Sequence, residues 1–196
     1  IKIYHSDFNG DIKLIRFAQD LRLDVGGLTQ SGNVMVGIFD IGLKHLLPKG
    51  YRPESVLLLG LGGGSVIKYL HRRYPQATVT AVEIDPVMIE IAKEHFGVGK
   101  IKNLTIINDD AVNFVKKTKE KYSLILNDCF QGFQTPKGFE EIEVLKKMKA
   151  MSDHTLINRL YWDDFKLKTD DFVAKISPHF QIKSVYTASN LVISLH

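Results

Sequence analysis

The rhythm of apolar and polar positions changes near residue 50. Before that point, "IKIYH", "IKLIRF" and "LRLDV" alternate with a period of two and are separated by Asn9-Gly10 and Gly26-Gly27. Alternation broken by glycine turns predicts a small antiparallel sheet from Ile1 to about Leu28. The following "VMVGIFDIGLKHLL", residues 34–47, spaces its apolar positions as a helix does, and Pro48-Lys49-Gly50 ends it.

After "YRPES" the apolar letters gather into short continuous runs at 56–59, 78–82, 104–107 and 122–127. Such runs are expected of parallel strands covered on both faces. Helical patterns at 65–73, 86–95 and 111–118 lie between them, and this βαβαβ succession predicts a doubly wound, Rossmann-like α/β sheet. Segments 140–149, 154–158 and 164–176 continue it. "FQIKSVYTA" and "NLVISLH" then stand too close together for a crossover helix, so the last strands should be antiparallel. Two regions are expected: an N-terminal β-hairpin region over 1–32 and a Rossmann-like domain over 33–196.

Composition narrows the class. With 196 residues, 44% hydrophobic and 24% charged, the chain can bury the core of one globular domain. No stretch approaches the roughly 18 apolar residues of a membrane span. Cys129 is the only cysteine, which excludes an internal disulfide framework and a cysteine zinc site, and leads us to expect a reducing compartment, the cytoplasm. His45, His95, His154 and His179 are scattered without metal-ligand spacing, and no metal is expected. The net charge of +4 is locally dense at Arg72-Arg73, Lys116-Lys117 and Lys146-Lys147. No aromatic residues are interleaved with these pairs, so they read as solvated helix faces rather than as a nucleic-acid surface.

Ligands of open α/β sheets sit at the carboxyl ends of the strands, near the point where strand order reverses. There the sequence places Gly60-Leu61-Gly62-Gly63-Gly64-Ser65, then Glu83-Ile84-Asp85-Pro86, Asn108-Asp109-Asp110 and Asn127-Asp128-Cys129. Gly60, Gly62 and Gly64 allow a strand-to-helix turn whose bare main chain a ligand can approach closely, although the third glycine of G-x-G-x-x-G is missing. Glu83, roughly 20 residues further on, can accept hydrogen bonds from ribose hydroxyls. Asp85 before Pro86 reads as a helix cap, as does Asp110 before Ala111. Asp109 is a candidate acceptor for an adenine amino group. Asp128 closes a strand too apolar to need an acid for packing, which makes it the candidate for contact with the reacting part of a substrate. Cys129 beside it reads as a small buried thiol more readily than as a nucleophile. Tyr161 and Trp162 fit a pocket wall or core packing equally well.

"VLLLGLGGGS", "VTAVEIDPVMIEIAKEHF", "LTIINDDAVNFV" and "YSLILNDCF" resemble, in order and spacing, the nucleotide-binding motifs of the spermidine synthase family within the class I S-adenosylmethionine-dependent methyltransferase fold. "LRLDVGGLTQ", ending in Gln30, resembles that family's L-D-G-x-x-Q stretch. The resemblance implies a ligand built on adenosine, S-adenosylmethionine or its decarboxylated form. Its contacts would come from Gln30, Gly60, Gly62, Gly64, Glu83, Ile84, Asp109, Asp110, Ala111 and Asp128, with Asp128 deprotonating the acceptor. It also implies dimerisation through the N-terminal sheet.

Three departures from the pattern stand out. The acid that holds the free amine of decarboxylated S-adenosylmethionine is Gly63 here, the second acid of D-S-S-D is Gln131, and a Y-H-E triplet is missing from "VGIFDIG". An acid at 63 would repel the carboxylate of ordinary S-adenosylmethionine, and glycine removes that repulsion. Losing the acid at 131 deprives a diamine of a counter-ion. The expectation is a methyltransferase acting on a small nucleophile. The alternatives are an aminopropyltransferase with acids relocated to Asp40 or Asp163, and a nucleoside-binding module without turnover. An NAD-dependent oxidoreductase fits least.

Overall fold

The computed structural model describes residues 1–17, 20–29 and 32–196. Strands β1 (Lys2–Ser6), β2 (Gly10–Phe17), β3 (Asp20–Val25) and β4 (Leu28–Thr29) form an antiparallel meander, one short strand more than the alternation predicts. Helix α1 (Asn33–Leu46) follows. A seven-stranded sheet is then built from β5 (Ser55–Leu59), α2 (Ser65–Arg73), β6 (Thr78–Glu83), α3 (Pro86–His95), β7 (Leu104–Asn108), α4 (Ala111–Lys117), β8 (Tyr122–Asn127), α5 (Ile142–Ala150), β9 (Ser152–Leu160), α6 (Asp164–Ile176), β10 (Ile182–Tyr186) and β11 (Asn190–Leu195).

The strand order is β10-β11-β9-β8-β5-β6-β7. From β9 to β7 neighbouring strands are parallel, while β11 runs antiparallel to both β9 and β10, as the short link between the last two strands requires. This is the Rossmann-like methyltransferase fold, preceded by a small antiparallel sheet.

Strand β5 explains why the sheet is covered on both faces. Val56, Leu57, Leu58 and Leu59 are all fully buried, yet they serve different cores. Successive strand side chains point to opposite faces. Val56 and Leu58 therefore meet Phe39, Ile67 and Ile91 from α1, α2 and α3, whereas Leu57 and Leu59 meet Val115, Leu145 and Phe172 from α4, α5 and α6. Burying each such side chain is worth about 1.5–3 kcal/mol, so a polar substitution in β5 damages both layers. The N-terminal sheet adds Ile12, Leu14, Leu23 and Val25 to the first core, which fixes it on the α1–α3 side. Among the described residues, no helix is long and apolar enough to cross a membrane.

Candidate active site

The chain leaves β5 towards β6 and β7, then returns with β8 on the other side of β5. The connections that leave the carboxyl ends of β5 and β8 thus run to opposite sides, and at this switch point a crevice opens. Backbone bonds hold its rim: Gly60 N–H donates to the Val82 carbonyl at 2.9 Å and Asp128 N–H donates to the Leu59 carbonyl at 2.8 Å. The two ends approach so closely that a Cβ on Gly60 would lie 2.6 Å from the Asp128 carbonyl oxygen, and the φ of Gly60 is +91°. Gly64, at +77°, starts α2 where a Cβ would strike Val98 Cγ2. Glycine is demanded at both positions by the fold itself. Gly60 and Gly62 line the cleft, whereas Gly64 does not.

Glu83 ends β6 and turns back over the glycine segment. Its Oε2 accepts from Leu61 N–H at 2.9 Å and its Oε1 accepts from Asp85 N–H at 3.0 Å. Each carboxylate oxygen has a second lone-pair direction, so acceptor capacity remains on the cleft side. Burial pushes the Glu83 carboxyl above its ordinary range, while the Leu61 and Asp85 N–H groups favour the anion and oppose that rise. Exposed Ile84 lines the same cleft. Asp110 also lines it while capping α4, its Oδ1 accepting from Asn113 N–H at 2.8 Å, and Ala111 and Val112 supply an apolar wall beside it. Asp109 lies outside the lining: its Oδ1 accepts from Asp110 N–H at 2.8 Å, so the carboxylate is engaged locally. Gln30 lies outside the described residues.

Asp128 faces the cleft at the end of β8. Its Oδ1 accepts from Asn158 Nδ2 at 2.8 Å; Asn158 Oδ1 accepts from Asn190 Nδ2 at 2.9 Å, and Asn190 Oδ1 accepts from Ser189 Oγ at 2.6 Å. A polar chain therefore crosses β8, β9 and β11 and orients the carboxylate. Removal from water pushes the Asp128 carboxyl up to about 7, with the Asn158 bond opposing the rise. Asn158 and Asn190, both buried, are not found by reading motifs. The available signal is an amide inside an otherwise apolar strand. Cys129 lines the cleft, but burial first, then the charges of Glu83 and Asp128, push its thiol well up. It holds its proton and is not a nucleophile at neutral pH.

Asp85 is fully buried and does more than cap α3. Its Oδ1 accepts from Val87 N–H at 2.9 Å, and its Oδ2 accepts from Ser6 Oγ and Asn9 Nδ2, each at 2.6 Å. Two bonds from the β1–β2 turn thus pin the N-terminal sheet to the start of α3. Phe8 and Asn9 thereby become part of the cleft wall. Sequence reading supplies the cap alone, because partners this far away in the chain leave no local pattern.

The positions that depart from the family pattern behave differently from one another. Gln131 lines the cleft, and its backbone forms a bridge with Gln134 across the turn at Gly132. Asp40 accepts from Lys44 Nζ at 2.5 Å, Tyr69 OH at 2.8 Å and Arg73 Nη1 at 3.4 Å on the α1–α2 surface, and does not line the cleft. Asp163, preceding α6, does not line it either. Trp162 packs on Phe165 and Phe133, with ring centroids 4.9 and 6.0 Å away, and Tyr161 OH donates to Asp170 Oδ1.

The chain is similar to several known proteins. An eEF1A lysine and N-terminal methyltransferase homolog from Drosophila melanogaster is 40% identical over 74 residues, which is 38% of this chain and 11% of that protein. A polyamine aminopropyltransferase from Vibrio vulnificus is 36% identical over 103 residues, 51% of this chain and 34% of that one. The chain thus spans only a minor part of these relatives. The crystal structure of human Methyltransferase-like protein 13 in complex with SAH superposes with a TM-score of 0.63 over 74% of this chain and 72% of that chain, at 24% identity. Residues 40–158, more than half of the chain, match the spermine/spermidine synthase domain. The chain belongs to the spermine/spermidine synthase domain family.

Proposed function

We propose that the cleft binds S-adenosylmethionine and that the chain carries the catalytic centre of a methyltransferase related to the spermidine synthases, acting on a small nucleophile. The observation that carries this reading is the convergence on one cleft of the bare main chain at Gly60 and Gly62, the Glu83 carboxylate and the Asp128 carboxylate. The residues suit the ligand. Glu83 retains lone pairs for two ribose hydroxyls, and Ile84, Ala111 and Val112 offer apolar surface to a flat base. Bound there, S-adenosylmethionine supplies a methyl group activated by its sulfonium, which leaves as a neutral thioether.

The chain's own contribution is alignment and proton removal. The glycine segment and Glu83 hold the nucleoside end and leave Asp128 facing the reacting end, which converts an encounter into a positioned attack. Asp128 would take up the acceptor's proton as the acceptor gains the methyl group. A carboxyl raised to about 7 is suited to that task at neutral pH, being a stronger base than an ordinary aspartate while still ionised in a large fraction. Methyl transfer is preferred to aminopropyl transfer because Gly63 and Gln131 offer no counter-ion for the amines of decarboxylated S-adenosylmethionine and a diamine, and because Asp40 is already engaged elsewhere. The test is calorimetry with both cofactor forms, followed by mass spectrometry with putrescine. Tighter binding of S-adenosylmethionine and no aminopropyl product support the proposal. Aminopropylated putrescine overturns the preference.

A further inference from the structure

A second cavity, about 420 Å³ in volume, lies between the 130–137 segment, the end of β9 and α6. It is far larger than the roughly 30 Å³ share of one water molecule. It shares Phe130 with the cleft that holds Asp128, so the two spaces are neighbours across one aromatic ring. Its lining is basic: Arg159, Lys137, Lys168 and Lys175 against Glu140 and Asp171.

Arg159 is the unusual member. It sits in the apolar strand β9 and is only 5% exposed. Its guanidinium lies 4.3 Å from the centroid of the Phe172 ring, and its Nη2 donates to Glu140 Oε1 at 2.9 Å. Among the described residues, Nη1 has no acceptor. A guanidinium has five N–H donors, and burying it is costly unless they are used. Packing alone would be served by a methionine. Lys137, Lys168 and Lys175 are exposed at the cavity mouth and, among the described residues, form no ion pair, although Lys168 Nζ lies 5.3 Å from the centroid of the Phe165 ring. Phe130, Phe133 and Phe165 give the space an aromatic side for the body of a small organic molecule.

We propose that this second cavity is an anion-binding compartment that receives a carboxylate or phosphate on the acceptor molecule. The acceptor is therefore an acidic small molecule rather than a polyamine. This rests on the transfer reading for the word acceptor, but the site itself does not. A dication entering here meets four cationic side chains against two acids and is repelled, whereas an anion meets the ammonium groups of Lys137, Lys168 and Lys175 beside Arg159.

Three probes of one shape and different charge decide the matter: phenylacetate, phenyl phosphate and phenethylamine. Trp162 is the only tryptophan and touches Phe165 on the cavity wall, so its fluorescence reports occupancy. Both anions should give saturable changes in the wild type at affinities at least about tenfold above that of the amine. The double variant Lys168→Glu/Lys175→Glu should lose about tenfold or more in anion affinity while its S-adenosylmethionine calorimetry stays unchanged. The ratio of the two anions tells a carboxylate site from a phosphate site. Equal binding of the amine, or anion binding undiminished in the double variant, overturns the compartment. Anion binding without S-adenosylmethionine binding leaves the compartment standing and removes the transfer reading instead.

Discussion

The two hollows on either side of Phe130 are built from the same sheet edge and are opposite in charge. The cleft at the β5–β8 switch point gathers carboxylates, Glu83, Asp110 and Asp128, while the cavity beneath the 130–137 segment gathers Arg159 and three lysines. In the cleft, most acids are held by backbone N–H groups that the fold supplies: Glu83 by Leu61 and Asp85, and Asp110 by Asn113. In the cavity the cations outnumber the acids: Arg159 is bonded to Glu140, while Lys137, Lys168 and Lys175 form no ion pair among the described residues. Groups that the fold satisfies are prepared for a neutral or hydroxyl-rich partner, whereas groups it leaves unpaired wait for a partner that brings the missing charge. On the two proposals above, the first hollow takes a nucleoside and the second an acid.

Substitutions in the cleft act on that contrast without touching the cavity. The largest effect is expected from Asp128→Asn, which should lower transfer by about 100- to 10,000-fold, the usual range for a lost general base, while S-adenosylmethionine affinity changes little. In the wild type, transfer should rise with pH through about 7 as Asp128 ionises. Stability runs the other way. A carboxyl raised by folding contributes stability that is fully present below the ordinary aspartate value and is lost as pH rises through about 7. Asp128→Asn should therefore stabilise the protein above neutrality by roughly 1–3 kcal/mol, less than the full shift because the group faces an open cleft. A chemical-denaturation series against pH measures it.

Gly60→Ala should cost about 2–4 kcal/mol of stability, since both the positive φ and the Asp128 carbonyl oppose a Cβ there, and a melting curve reads the loss. Glu83→Ala should weaken S-adenosylmethionine by roughly 1–3 kcal/mol in calorimetry, the scale of lost charge-assisted hydrogen bonds, while leaving anion binding in the second cavity untouched. Asn9→Ala should cost about 1–2 kcal/mol, felt first as faster amide exchange in β1 and β2, because only one of the two bonds pinning that sheet to Asp85 disappears.

The cleft was the more legible of the two hollows, for a physical reason. Its parts are local: glycines in a strand-to-helix turn, an acid at the end of the next strand, and caps ahead of α3 and α4, each decided within a few residues. Continuous apolar runs likewise gave the parallel strands, because β5 must be apolar on both faces, and the short β10–β11 link gave the antiparallel ending, because it leaves no room for a crossover. The cavity is made of residues far apart in sequence, Lys137, Arg159 and Lys175, whose convergence depends on how α6 packs over β9. The same holds for the Asp128–Asn158–Asn190 chain and for Asp85, whose partners Ser6 and Asn9 come from the other sheet. Asp109 shows the opposite failure. The rim position is as the motif implies, yet its carboxylate turns to the Asp110 N–H instead of the cleft.

The most direct test of the central claim is a calorimetric titration of the wild-type chain with S-adenosylmethionine and, separately, with its decarboxylated form. Glu83 and the glycine segment gripping one nucleoside, with no acid at position 63, predict micromolar binding of S-adenosylmethionine and weaker binding of the decarboxylated form. The absence of heat with either cofactor, or a clear preference for the decarboxylated one, would contradict the account.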